Sequence, residues 1–397
     1  MHQLTMPAAA DSYQPVQEHE SVKMLAGLLR EPAKYESWLE QYASGVVFRI
    51  GFGRWIETGQ EEEFLRIISV GKNVERVASP GAYLVDSFPV LQHIPTALAP
   101  FKQEALKLHT EELSLFRKLQ DDVRQSMRKG ASTPGSFTKT FLENQETFKL
   151  SDDEGAYVIG TLFEAGSGTT AAAMMSFCLA MCLFPEWQQK LQDEVDRVTG
   201  TRIPGFEDMP QLPTVRAVIK EVLRWRPVTA GGVPHQLTKD DEYQGYHFSA
   251  GTVFHANQWA IHRDPELYPD PDAFRPDRWL DPKFPQTYRE PLAKYPNLQN
   301  YSCFGFGRRI CPGQNIAERS LVLLTARMAW ALDLRRKTGA DGTPLPIPEY
   351  DYTAGFNVQP RHFDFDVFPR SAEKVEMVFS ALRTAQPECS DAAPGSN

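Results

Sequence analysis

Between Asp152 and Phe184 the chain reads as one unbroken helix, and that single element limits how the rest can be arranged. Asp152 or Asp153 can cap its start, and Pro185 ends it. The span is roughly 30 residues, or about 45 Å at 1.5 Å per residue, which is enough to cross a whole domain. Its second half, AAAMMSFCLAMCLF from Ala171 to Phe184, is a run of 14 residues without a charge. A helix apolar on every side is buried on every side, so this one is expected to be the spine of a core, with other helices layered on it. The apolar run is shorter than the ~20 residues a bilayer requires, so the expectation is a core helix and no transmembrane segment in this chain.

Segments on either side supply the layers. Apolar residues recur at three and four positions in Val22, Leu25, Leu29 and again in Trp38, Tyr42, Val46, which predicts two helices parted near Glu31-Pro32. A third is predicted over 60–69, and a long charged one over 96–129, closed by the turn-rich segment 130–135. Pro185 opens a further helix to about Thr199, and another runs from Pro213 to Arg224. After Pro227 the texture changes: YQGYHFS and GTVFHAN read as strands of a small sheet, and 264–289 is proline-rich irregular coil. A final strong helix is predicted from about Gly313 to Leu332. The fold class is therefore mainly α with small β-sheets, in one domain over 1–397, with about 1–12 and 386–397 expected to be disordered.

Five cysteines, an odd and scattered set, exclude a disulfide framework, and none follows a secretory leader. A net charge of −9 and the lack of a basic run exclude a nucleic-acid partner. One cysteine stands apart, Cys311 in FGFGRRICPG. Structural zinc would need further Cys or His at finger spacing, which the flanking sequence lacks. A thiol nucleophile would need a partnered His, and no local motif supplies one. An axial sulfur for haem needs a loop, amide N–H groups aimed at the sulfur, and small residues where the porphyrin comes close. Gly307 permits a tight bulge and Gly313 a close helix start, whose dipole favours thiolate.

Phe304, Gly307, Arg309, Cys311 and Gly313 together resemble the haem-binding signature of the cytochrome P450 family. Three further segments resemble that family in order and spacing: Ala165-Gly166-Ser167-Gly168-Thr169-Thr170 in the spine helix, Glu221-Val-Leu-Arg224, and Phe274-Arg-Pro276-Asp-Arg278-Trp279. Other Glu-x-x-Arg copies, Glu63 with Arg66 and Glu194 with Arg197, read as helix-face ion pairs. The resemblance runs from about Tyr13 to the end and is nearest to microsomal-type fungal members of secondary metabolism. It implies a P450 fold lacking its N-terminal portion, haem b, and Cys311 as the axial ligand of its iron. Arg309 and His235 are implied as propionate partners, Phe304 as packing on the sulfur loop, and Gly166 as opening the helix groove beside the iron. Glu221, Arg224 and Arg278 are implied as a buried ion triad, and Thr169 as the proton-relay alcohol. Arg308 is expected to face solvent and an acidic electron donor.

The resemblance further implies a monooxygenase that takes electrons from NADPH through a cytochrome P450 reductase and oxidises a hydrophobic small molecule. The substrate cavity is expected along 162–169, 228–233 and 353–356. The family's fungal members sit on the cytosolic face of the endoplasmic reticulum. Without their anchor this chain is expected to be soluble or peripheral, and it reads as beginning just after the helix whose Trp and Arg hold a propionate, with the N-terminal quarter of the family's fold missing. One departure stands out: the family's acid before the threonine is Gly168 here, leaving Glu164, one turn earlier, as a candidate substitute. Three alternatives stay open: a peroxide-driven enzyme, an isomerase or dehydratase on the same scaffold, which would tolerate Gly168, and a non-catalytic truncated haem-binding remnant.

Overall fold

The computed structural model describes residues 2–390 apart from 131–134, 289–297, 299 and 300. Nine helices of ten or more residues carry the described fold: α1 (Gln14–Arg30), α2 (Tyr35–Phe52), α3 (Glu62–Ala78), α4 (Pro100–Arg128), α5 (Asp152–Leu183), α6 (Pro185–Thr199), α7 (Pro213–Trp225), α8 (Gln314–Ala331) and α9 (Ala372–Ser390). Shorter turns and three two-stranded antiparallel sheets join them: β1 (His235–Gln236) with β4 (Val253–Phe254), β2 (Asp241–Tyr243) with β3 (Tyr246–Phe248), and β5 (Leu332–Arg336) with β6 (Phe365–Pro369).

The spine is where the sequence places it, with α2 against its middle and α3, α4, α6, α7 and α8 around it. Its start differs by one residue. Ser151 is the cap: its hydroxyl accepts the Glu154 N–H, and the Glu154 carboxylate accepts the Ser151 N–H in return. This reciprocal box satisfies two donors at the helix start, while Asp152 and Asp153 accept from Arg124 and Arg117 instead. At 32 residues α5 is long and apolar enough, by length and composition, to cross a membrane, which corrects the estimate drawn from the apolar run alone. Yet 72% of its most apolar window is buried inside the protein, the pattern of a core helix.

Three other expectations change. Residues 2–12, expected to be a disordered lead, form the short helices His2–Thr5 and Pro7–Ser12, because α8 holds them. Asn315 donates to the Thr5 carbonyl at 2.8 Å, and Arg319 meets Asp11 at 2.6 Å. YQGYHFS is a hairpin, with Gln244 (φ 53°) and Gly245 (φ 81°) making the left-handed turn between β2 and β3. Neither spare Glu-x-x-Arg copy is an ion pair: Glu63 turns to Lys118 and Arg54, while Glu194, buried, accepts the Thr214 N–H at 2.9 Å and caps α7. The free amides of a helix start draw a buried carboxylate more strongly than an exposed arginine does. Helix α9 reaches Ser390, and 391–397 and 131–134, in the tail and loop noted above, lie outside the described residues.

One seam serves the ends of the core. Gln188 on α6 donates to the Leu334 carbonyl at 3.0 Å and accepts the Leu334 N–H at 2.9 Å, while Gln192 donates to the Leu332 carbonyl at 3.2 Å. The free edge of β5 is thus satisfied by two side-chain amides one helical turn apart.

Candidate active site

The loop bearing Cys311 is shaped by two glycines that need positive φ, Gly305 (85°) and Gly307 (57°). They separate two short 3-10 turns, Ser302–Phe304 and Gly307–Arg309, and fold the loop back so that the Cys311 N–H donates to the Phe304 carbonyl at 2.7 Å. Gly313 then caps α8, and the amides of Gly313 and Gln314 are directed at the Cys311 sulfur. Burial pushes the thiol's pKa up, and those two N–H groups work against it. A side chain at Gly313 would begin 3.9 Å from the sulfur, on the wall of the cavity next to it.

That cavity lies between the loop and α5 and brings Cys311 and Gly313 together with Gly166 and Thr169. Its other walls are mostly apolar and include Val47, Ile50 and Phe163. The enclosed volume is about 110 Å³, smaller than a typical ligand pocket and enough only for the part of a flat group nearest the sulfur. The donor set nevertheless fits a haem-iron ligand: one soft sulfur, amide donors to hold it as thiolate, and an apolar distal wall with no competing ligand among the described residues.

Two expectations for α5 need revision. The helix is regular through 165–170, with no widened turn, and Gly166 serves packing instead: a Cβ there would stand 2.5 Å from Val47 of α2. The Thr169 hydroxyl donates back to the Ala165 carbonyl at 2.9 Å, the common bond of a threonine inside a helix. Gly168 faces open space, with nothing within 4 Å of an added Cβ.

Glu164 lines a second cavity, of about 330 Å³, with Gly168, Ser167 and the segment Thr353–Gly355. Burial first, and the nearby Glu112 second, push its pKa up to about 7. Among the described residues it has no side-chain hydrogen bond or ion pair. Lys72 and Glu75 of α3 complete the wall, and 228–233, expected to line it, do not. The charge on this wall also tempers the apolar character read from the sequence. Nothing local in the sequence of α3 or around Val47 separates a cavity wall from an ordinary core face.

Arg309 and His235 are exposed and without side-chain hydrogen bonds or ion pairs among the described residues; His235 pairs through β1 with Phe254. Neither lines the cysteine cavity. Phe304 is half-buried against the core, and Arg308 is exposed. A fully buried polar cluster joins α7 to the coil that follows it. Fully buried Glu221 receives Arg224 at 2.9 and 2.8 Å through two nitrogens, Arg278 Nε at 3.1 Å, the Trp279 indole N–H at 3.1 Å and the Arg275 backbone N–H at 2.8 Å. Arg224 also donates to the carbonyls of His262, Pro271 and Ala273, pinning the coil of 262–273 to α7. Such a pair is stable where it is because each lone pair and proton is met.

A family model described as Cytochrome P450 matches residues 1–339. Cytochrome P450 monooxygenase 253 of Postia placenta is 37% identical over 381 residues, 95% of this chain and 71% of that protein. Cytochrome P450 monooxygenase fogE of Aspergillus ruber is 36% identical, over 95% of this chain and 70% of that protein. A solved zebrafish cytochrome P450, described with progesterone, shares the fold at a TM-score of 0.73 and 22% identity, covering 93% of this chain and 80% of that one.

Proposed function

Because the chain belongs to the cytochrome P450 family, whose similar fungal members are named monooxygenases, we propose that Cys311 is the axial ligand of haem b in an enzyme of secondary metabolism. The observation that carries this reading is the Cys311 sulfur, met by the amides of Gly313 and Gln314 and facing Gly166 and Thr169 across one cavity. Bound haem supplies the chemistry: one atom of O₂ enters a hydrophobic organic substrate and the other leaves as water.

The chain's own residues hold, orient and pass protons. Gly305 and Gly307 set the loop, and the two amides lower the cost of a thiolate at Cys311. Arg309 and His235, exposed and uncommitted, are the side chains that would pair with propionates, and Phe304 braces the loop. Thr169 can offer its proton to the cavity by rotating away from the Ala165 carbonyl. Glu164, with a pKa near 7, can exchange protons with solvent and supply α5 in place of the acid missing at Gly168. Electrons come from NADPH through a cytochrome P450 reductase docking near exposed Arg308, at the cytosolic face of the endoplasmic reticulum.

The test is the absorbance of the reduced, CO-bound protein after haem loading. A thiolate-ligated band supports the reading, and no such band in purified, haem-supplied protein defeats it. Gly168, together with the internally bonded Thr169, favours one second reading, a peroxide-driven or redox-neutral reaction on the same scaffold. Product formed with peroxide alone, or without any oxygen gained, would select it.

A further inference from the structure

No hydrogen bond among the described residues joins the charged groups of the Glu221 triad to the cysteine loop, yet one histidine touches both. The His262 carbonyl accepts Arg224 Nη1 at 2.9 Å, so its backbone is fixed by the triad. Its imidazole is fully buried, stacked on Tyr301 with ring centres 5.4 Å apart and planes 12° apart, and met edge-on by Tyr268. Its Nε2 lies 2.8 Å from the Ser302 hydroxyl. Ser302 opens the 3-10 turn that ends at Phe304, and the Phe304 carbonyl is the acceptor for the Cys311 N–H at 2.7 Å. A continuous polar path therefore runs from Arg224 through His262 and Ser302 to the backbone that holds the sulfur.

We infer that His262 and Ser302 are positioning residues which transmit the rigidity of the buried ion triad to the Cys311 loop. This rests on the reading of Cys311 as a ligand. The role suits the pair. Outer partners of a metal ligand fix its orientation, and they do so best when their own rotamers are locked by packing. His262 is clamped between two tyrosine rings, and Ser302 is too short to wander. Burial, then the charges of Arg224 and Arg263, push the imidazole's pKa down to about 3, so Ser302 meets a neutral ring throughout the physiological range.

The experiment uses the full haem-loaded chain and two readouts. Ser302→Ala removes only the hydroxyl, and His262→Phe keeps the ring stack while losing the polar contact. Each is expected to speed hydrogen exchange at the Cys311 amide by up to about tenfold, the worth of one buried hydrogen bond. Amides in the middle of α8 should not change. Part of the reduced, CO-bound absorbance should move from the thiolate to the thiol position, and the double variant should be no worse than His262→Phe alone. Unchanged Cys311 exchange and an unchanged band in Ser302→Ala would overturn the inference, as would additive effects in the double variant. If His262→Phe does not fold, Ser302→Ala decides alone. A parent chain without a thiolate band defeats the functional reading instead, so the two failures are distinguishable.

Discussion

The two sides of the cysteine cavity are built on opposite terms. On the loop side, Glu221 alone receives five donors and lies wholly out of solvent, and the Cys311 amide and sulfur both have backbone partners. On the α5 side, Thr169 is bonded only to its own helix, Glu164 to nothing among the described residues, and Gly168 offers no side chain. The loop side is thus organised by the protein itself before any small molecule arrives. On the α5 side the Thr169 hydroxyl is tied to its own helix, and the Glu164 carboxyl, on the wall of the second cavity, has no bond among the described residues. Order is concentrated beside the Cys311 sulfur and is sparse on α5.

The largest effect should follow from Cys311→Ala, which removes the proposed ligand without touching the triad. The thiolate band of the reduced, CO-bound protein should vanish, while the far-ultraviolet dichroism of the helices stays near that of the parent. Next comes Glu221→Gln. It leaves two buried arginines without their anion, and losing one partner of a buried pair costs about 3–5 kcal/mol. Chemical denaturation should show that loss, and haem should be released faster. A small change would mean that the loop side is less dependent on the triad than its geometry says.

On the α5 side the same measurements should barely respond. Thr169→Val should leave the thiolate band intact and lower product formed per NADPH by about tenfold or more, within the range of lost acid–base assistance. Gly168→Asp, for which the structure has room, should raise that yield. No change in coupling for either variant would remove the proposed proton path.

The smallest effect is a slope. Glu164 is raised from the ordinary 4.5 to about 7, so the folded protein holds a proton there that the unfolded chain releases. Its contribution is fully present below pH 4.5 and is lost as pH rises through 7. Glu164→Gln should therefore flatten the decline of the melting temperature across that window, relative to the parent. An identical slope in the two proteins would show that the carboxyl is ordinary.

What could be read from the sequence depended on how local the chemistry is. The cysteine loop and the Glu221–Arg224 pair are local, because a glycine turn beside a sulfur, or Glu and Arg on one helical face, leave their mark within a few residues; Arg278, 57 residues from Glu221, entered only through the family resemblance. The Ser151 cap is equally local, as Ser-Asp-Asp-Glu154, but the two aspartates beside it offer the same capping chemistry. His262 and the Trp279 indole could not be found that way, since both act across tens of residues through packing. Gly166 was legible as a necessary glycine but not for its reason, because Val47 lies far away in sequence. The order of residues 2–12 came from α8, three hundred residues on, and no local pattern announces such a partner.

The glutamines of α6 carry a consequence for the life of this protein in a crowded cell. Four residues of helix advance about 6.0 Å, and two of strand about 6.6 Å, so Gln188 and Gln192 match the repeat of the β5 edge closely enough to imitate a neighbouring strand. A two-stranded sheet would otherwise offer that edge to any extended chain passing by. The helix closes it with side chains, and self-association through β5 is denied its template. Replacing both glutamines with leucine keeps the bulk and reopens the edge, and light scattering on concentrated protein should then rise with time where the parent's stays level.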